Sequence, residues 1–335
     1  MRLFFLSLIL VVAGCDMFSG DDVVRQDAEA FPVRVDGQWG FIDREARLVA
    51  PPSYDFADDL VEGRAAVRLG TAWGYADASG GLAVPAQYAA AGRFAEGRAP
   101  VRTAADGWFY IDRDGQRVGS AGYDVANAFS DGRGAVRSGF LWGYVDESGG
   151  VAVEPQYAEV GPFVDGLAPV KTADGWQYIE RDGAVAFGGT FSAAGPFSAA
   201  GLAPVREASS DVWKYVDRDG QIALNTTFQD AAPFSEGYAA VRVGGQAAFI
   251  GRDGDYLVEP KLTEAGPFSE GYAAVRFNSR WTYVSRADGL IVTAPAFSSA
   301  APFRGGLARV TTGSGDDTRW GYVDADGTVV WEPQR

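Results

Sequence analysis

The chain has 335 residues, a formal charge of −15, 13% aromatic residues, 44 glycines, one cysteine and no histidine. An acidic body is a poor partner for nucleic acid and for anionic surfaces. Without histidine there is no imidazole acid–base chemistry and the usual zinc sites are gone.

The chain opens with Arg2 and an apolar run from Leu3 to Ala13 broken only by Ser7. That run is too short to cross a bilayer as a helix and has the proportions of a secretory signal. The stretch Leu10-Val11-Val12-Ala13-Gly14-Cys15 resembles a bacterial lipobox. The resemblance implies a signal peptide over residues 1–14, cleavage before Cys15, and lipid on its sulfur. The product would be an exported lipoprotein of the cell envelope, held at the membrane through its N-terminal lipid without a transmembrane helix. An ordinary signal peptide with a chance cysteine is the alternative, and Asp16 leaves inner and outer membrane both open. A single cysteine allows no internal disulfide. Residues 15–30, acidic and without an aromatic after Phe18, are expected to be a flexible tether.

From residue 31 to 335 one unit recurs. Its clearest copy is Trp142-Gly143-Tyr144-Val145-Asp146-Glu147-Ser148-Gly149. In an extended segment Trp142, Tyr144 and Asp146 share one face, Gly143 leaves room for a neighbouring backbone, and Gly149 supplies the positive φ of a tight hairpin loop. Before this strand stands Gly-x-Ala-x-Val-Arg/Lys, as in Gly63 to Arg68, whose alternation predicts a short strand with Ala and Val inward. The residue between them is Pro at Pro100, Pro169 and Pro204, which places that position at an edge or a bulge. After it comes Val-x-x-x-Tyr/Phe, a third strand, and then a corner ending in Phe. Units start at Phe31, Leu60, Phe94, Phe129, Phe163, Phe197, Phe234, Phe268 and Phe303. No window has helical periodicity with caps. The expected fold is all-β, a tandem array of about nine three-stranded units, open or gently superhelical, with a closed β-propeller as the alternative.

Trp-Gly-Tyr/Phe-x-Asp at Trp39, Trp73, Trp142 and Trp320, with weaker forms at Trp108, Trp176, Trp213 and Trp281, resembles the WG (KWG) repeat of bacterial proteins. The resemblance covers residues 31 to 335 and implies a β-rich repeat protein, frequently attached to the cell envelope. Two features depart from it: the Lys before Trp is absent, and the seventh unit has Ala247 in place of Trp.

Acids recur at equivalent places, Asp43, Asp77, Asp112, Asp146, Glu180, Asp217 and Asp324, and no unit visibly breaks the pattern as an active site would. The Asp-x-Asp-Gly turns at Asp112, Asp217 and Asp324 lack the further ligands of a calcium loop, and turn chemistry accounts for them. Neither metal nor cofactor is expected. A cationic position recurs as well, at Arg34, Arg68, Arg102, Arg137, Lys171, Arg206, Arg242 and Arg276. If the two strands pair, each cation could face an acid, either as a structural ladder or, with the Trp row, as a periodic binding stripe. The leading expectation is a non-enzymatic envelope lipoprotein that binds a protein or glycan. The competitors are a carboxylate-dependent hydrolase or lyase acting on envelope polysaccharide and a purely structural spacer.

Overall fold

The computed structural model describes residues 30–294 and 296–334. The expected signal peptide, Cys15 with its expected lipid, and the expected tether up to residue 29 lie outside the described residues.

The first two sheets show how the repeat folds. One is β1 (Phe31–Val35), β2 (Gln38–Ile42) and β3 (Leu48–Tyr54); the next is β4 (Phe56–Ala57), β5 (Ala65–Leu69), β6 (Ala72–Ala76) and β7 (Leu82–Tyr88). Each is antiparallel and runs in chain order. In β5, Ala65 and Val67 are fully buried, as the alternation predicts, and so nearly is Ala66, because neighbouring sheets cover both faces. The glycine of the Trp-Gly pair is forced by the next strand. Trp73 faces Tyr88 and Tyr75 faces Val84, so β7 bulges over Gly74, where an added Cβ would lie 2.6 Å from the Val84 carbonyl oxygen. Positive φ at Gly80 and Gly149 turns the chain into the outer strand, as expected.

Two expectations need correction. Most units have four strands rather than three, because the corner before each Gly-x-Ala-x-Val strand is itself a strand. In blades two, three, five and seven it is only two residues long, too short to show a period. The array also closes on itself. Tyr75, Tyr110, Tyr144, Tyr178, Tyr215 and Tyr283 are buried and donate their hydroxyls, at 2.6–2.8 Å, to a first-strand carbonyl of the following blade. Tyr322 of the last blade donates to the Pro32 carbonyl of the first at 2.8 Å, and Trp320 lies 6.4 Å from Trp39. Phe31, Val33 and Ile42 share a core cluster with Leu307 and Tyr322. The open arrangement therefore gives way to the β-propeller, since a tyrosine built to cap a neighbouring blade finds that neighbour across the chain ends.

Nine blades form the ring among the described residues. Blades five and six share the long strand Val185–Ala194, and the eighth completes its sheet with isolated bridges from Trp281 to Phe297 and Val284 to Ile291. The short first strands contact the blade before them, so they line the inside of the ring, and the fourth strands form its outside. The only helix among the described residues is the 3-10 turn Gly315–Asp317. Phe31 proves to be out of step with the other unit starts: it lies within β1, while Leu60 and Phe94 lie on corners. Its ring nevertheless meets Tyr322 edge-on at 5.6 Å, as Phe94 meets Tyr75 at 4.8 Å.

Candidate functional site

Where a unit has both, the cation and the tryptophan lie directly opposite one another; in blade seven Arg242 faces Ala247 and in blade nine Trp320 faces Thr311. Arg34 faces Trp39, Arg68 faces Trp73, Arg102 faces Trp108 and Arg137 faces Trp142. The guanidinium carbons of Arg68 and Arg137 stand 5.8 and 5.7 Å from the Trp73 and Trp142 rings, Arg206 repeats this at Trp213, and the Lys171 amine lies 5.9 Å from Trp176. Trp39 is buried, but Trp73, Trp108, Trp142, Trp176 and Trp213 are half-buried, so the hairpins carry a cation beside an indole blade after blade. The expected pairing of these cations with the recurring acids does not occur. A hairpin brings together the residues nearest its turn, so Arg68 meets Trp73, while Asp77 comes after Ala76 at the far end, where Ala76 faces Ala65. Where these cations have an acid partner it comes from the first strand, Glu159 for Lys171 and Glu264 for Arg276.

Six of the seven recurring acids hold their own turns together; in the turn after Glu180 it is Asp182 that accepts an amide, from Ala184 at 2.9 Å. One oxygen of Asp77 accepts the Ser79 amide at 2.9 Å, the Ser79 hydroxyl at 2.6 Å and the Gly81 amide at 3.2 Å. Asp146 accepts the same three groups from Ser148 and Gly150. Asp43, Asp112, Asp217 and Asp324 each accept two amides of their turn. The serine hydroxyl first, then the amides, hold the carboxyls of Asp77 and Asp146 below the usual carboxylate range. Among the described residues no three carboxylates gather as a metal would require.

A second row of acids escaped the sequence. Glu62, Glu96, Asp131, Asp165, Glu236 and Glu270 all have positive φ and precede a glycine. Each turn reaches the next blade: Glu62 accepts the amides of Glu96 and Gly97, both at 2.7 Å, Glu96 accepts those of Asp131 and Gly132, and Glu270 those of Gly305 and Gly306. Arg113 joins Glu62 at 2.9 Å, and Arg181 and Arg218 join Asp131 and Asp165 in the same way. The visible signal was the repeated acid-Gly pair, which reads as an ordinary turn.

The repeat is in fact broken at one place, contrary to expectation. Around the chain ends, first-strand positions that are Gly, Ala or Asn, and then mostly Pro, elsewhere carry Asp58 and Asp59 in blade two and Arg93 in blade three. Blade nine has Arg304 where Ser130, Ser235 and Ser269 donate to the next blade, and Gly305 where a clamp acid would stand. Arg93 closes a fork on Asp58 at 2.8 and 2.6 Å and reaches Asp59 at 3.0 Å, while Arg309 spans from blade nine to Asp59 at 3.4 Å. These four side chains are 19–23% exposed. Burial, then repulsion from Asp59, pushes the Asp58 carboxyl up to about 6, and burial lowers Arg93 to about 9. Each is the counter-ion that keeps the other charged at neutral pH.

The WG-containing repeat family matches residues 39–70, 73–104, 108–139, 142–176, 213–246, 248–281 and 281–314, more than half of the chain. The chain belongs to the WG-containing repeat family. No curated protein matches it. Among solved structures it is similar to a eukaryotic initiation factor, at 12% identity and a TM-score of 0.66 over 92% of this chain and 96% of that one. It is also similar to the computationally designed Ika8 protein, at 13% identity and a TM-score of 0.51 over 80% and 92%. The WD40 β-propeller domain of Doa1 aligns at 11% identity and a TM-score of 0.37 over 90% and 97%. At such identities the likeness concerns the fold alone. In this WG propeller the two residues of the Trp-Gly pair are thus placed differently: the glycine admits the outer strand, and the half-buried indole packs at the margin of the core with its cation beside it.

Proposed function

We propose that this WG propeller is a non-enzymatic binding scaffold, exported and held at the cell envelope by lipid on Cys15, which engages a protein or glycan across the ring of Trp–cation hairpins. One observation carries this reading: six of the recurring acids are committed to their own turns, whereas half-buried indoles recur beside a cation on the hairpins of blade after blade. Indole faces and guanidinium groups suit planar sugar rings, aromatic side chains and carboxylates. Phe140, 93% exposed on the hairpin beside Trp142, extends the same surface.

The test uses the lipid-free mature chain as bait against envelope fractions, with and without a calcium chelator. One polymer or protein should be retained, unaffected by the chelator, and lost when Arg137 and Trp142 are both changed to alanine. Retention of nothing, or retention indifferent to that double change, sinks the proposal. Turnover of an envelope polysaccharide abolished by changing one acid would favour a hydrolase or lyase instead.

A further inference from the structure

The cation row is not uniform around the ring. The first strand of a blade runs beside its hairpin, and one residue of that strand stands directly opposite the recurring cation. In blades five, seven and eight this residue is an acid: Glu159 faces Lys171, Asp230 faces Arg242 and Glu264 faces Arg276. Two of these close ion pairs, at 2.5 and 2.7 Å. In blades two, three and four it is apolar: Phe56 faces Arg68, Ala90 faces Arg102 and Val125 faces Arg137. Blade six lies between the two kinds, with Ala193 opposite Arg206 and the guanidinium on the Ser192 hydroxyl at 3.0 Å. Directly opposite residues of an antiparallel pair lie close enough to set one another's charge environment. One side of the ring therefore offsets its cations from within, while the arc over blades two to four gives them apolar neighbours.

The arc also projects apolar surface. At the tip of blade four Phe140 is 93% exposed and Leu141 43%. Gly139, at φ +63, turns the chain there, and Asp124 holds its amide at 2.7 Å, so the tip is fixed before any partner arrives. The tips across the ring are polar or bare, Asp174 in blade five, Gly244-Gly245 in blade seven and Asn278-Ser279 in blade eight. The acids of the arc are tied to the protein's own donors: Asp55 takes the Gly70 amide at 2.6 Å, and Asp106 meets Arg117 at 3.4 Å. Guanidinium groups select carboxylates. A projecting phenyl ring, unlike a flat indole edge, gains most from a pocket that encloses it, which a protein supplies and an extended glycan does not.

We propose that blades two to four are the docking arc of the propeller, and that the partner is a protein segment whose carboxylates pair with Arg68, Arg102 and Arg137 and whose apolar side chains enclose Phe140. This rests on the binding-scaffold reading above and narrows its partner to an acidic protein. The formal charge of −15 does not oppose it at contact. Charges farther apart than about 8 Å are largely screened at physiological salt, so the local sign of the arc decides.

Fluorescence anisotropy on the mature chain with Cys15→Ser tests this. The probes are a short peptide alternating glutamate and leucine, the same peptide with lysine for glutamate, and a galacturonate oligomer as an anionic glycan. The glutamate peptide should bind saturably and the other two should not. Arg68→Gln, Arg102→Gln and Arg137→Gln should each weaken it about fivefold or more, whereas Lys171→Gln and Arg276→Gln, on the acid-paired side, should change it less than about twofold. Phe140→Ser should weaken it similarly, and its exposed position keeps the test valid should an arginine variant lose its fold, as melting temperatures would reveal. No binding of the glutamate peptide, equal binding of the galacturonate oligomer, or equal losses on both sides of the ring overturns the proposal. Envelope retention that needs Arg137 and Trp142 but survives both Arg68→Gln and Phe140→Ser would overturn the arc while leaving the scaffold standing.

Discussion

Gly143 is the residue on which the clearest repeat turns. A methyl group there would lie 2.4 Å from the Val153 carbonyl oxygen and 2.7 Å from the Pro155 nitrogen, backbone atoms that cannot move without dissolving the bulge. Gly143→Ala should cost about 3 kcal/mol, the upper range for overpacking. Gly70→Ala meets nothing within 4 Å and bears only the left-handed penalty at φ +60, about 1 kcal/mol. Equal shifts in denaturant midpoint for the two would refute the close-approach argument. The tyrosine two residues after Trp acts differently. Tyr144→Phe should cost about 1–2 kcal/mol by orphaning the Gly161 carbonyl, yet leave the protein folded, because the seventh blade already uses Phe249 there. Burial raises the pKa of Tyr75, Tyr110, Tyr144, Tyr178, Tyr215, Tyr283 and Tyr322. Their neutral forms therefore stabilise the fold fully below the unfolded value near about 10, and that stability is lost as pH rises beyond it. For these seven, tyrosinate absorbance should accordingly appear together with cooperative unfolding, not ahead of it.

At the level of strands and turns, stability against acid follows from the Asp turns. Asp77 and Asp146 have lowered pKa values, so their contribution is present above the unfolded carboxylate range and disappears as pH falls through the lowered folded values. In a protein carrying Asp77→Asn and Asp146→Asn the charge is gone at every pH. Its melting temperature should lie below wild type at neutral pH and approach it in acid; a gap that stays constant with pH would show that the charge is irrelevant. The same elements explain what could be read from the chain. The two long hairpin strands alternate, and their glycines mark the turns, so strand identity, the room that the glycine of Trp-Gly leaves for a neighbouring backbone, and repeat length were legible. The innermost strands were not, since a pair such as Ala90–Ala91 has no period and no distinctive side chain. Arg68 lies on the first strand as expected, but Asp77 falls just past the end of the second, because position along the hairpin is counted from the turn. That count puts Trp73 opposite Arg68 and sends Asp77 to the loop.

For the molecule as a whole, closure hinges on contacts between residues nearly a chain length apart, which no local pattern announces. The departures that prepare for it were present in the sequence: Phe31 in a position that is Ala or Gly in other blades, Gly305 in place of a clamp acid, Asp58-Asp59 against Arg93 and Arg309. Each looks like drift until the two ends are brought together. Phe31 offers the decisive test of closure. It is 4% exposed and packs on Tyr322 rather than on a sequence neighbour. Phe31→Ala should cost about 3–5 kcal/mol, as for other buried phenylalanines. In an open array the loosening would stay within the first blade. In a ring, Tyr322 and Leu307 lose their cover at the same moment, so hydrogen exchange should quicken together over residues 31–54 and 299–334 while blades four and five keep wild-type protection. Faster exchange confined to residues 31–54 would mean that the ends do not meet in solution.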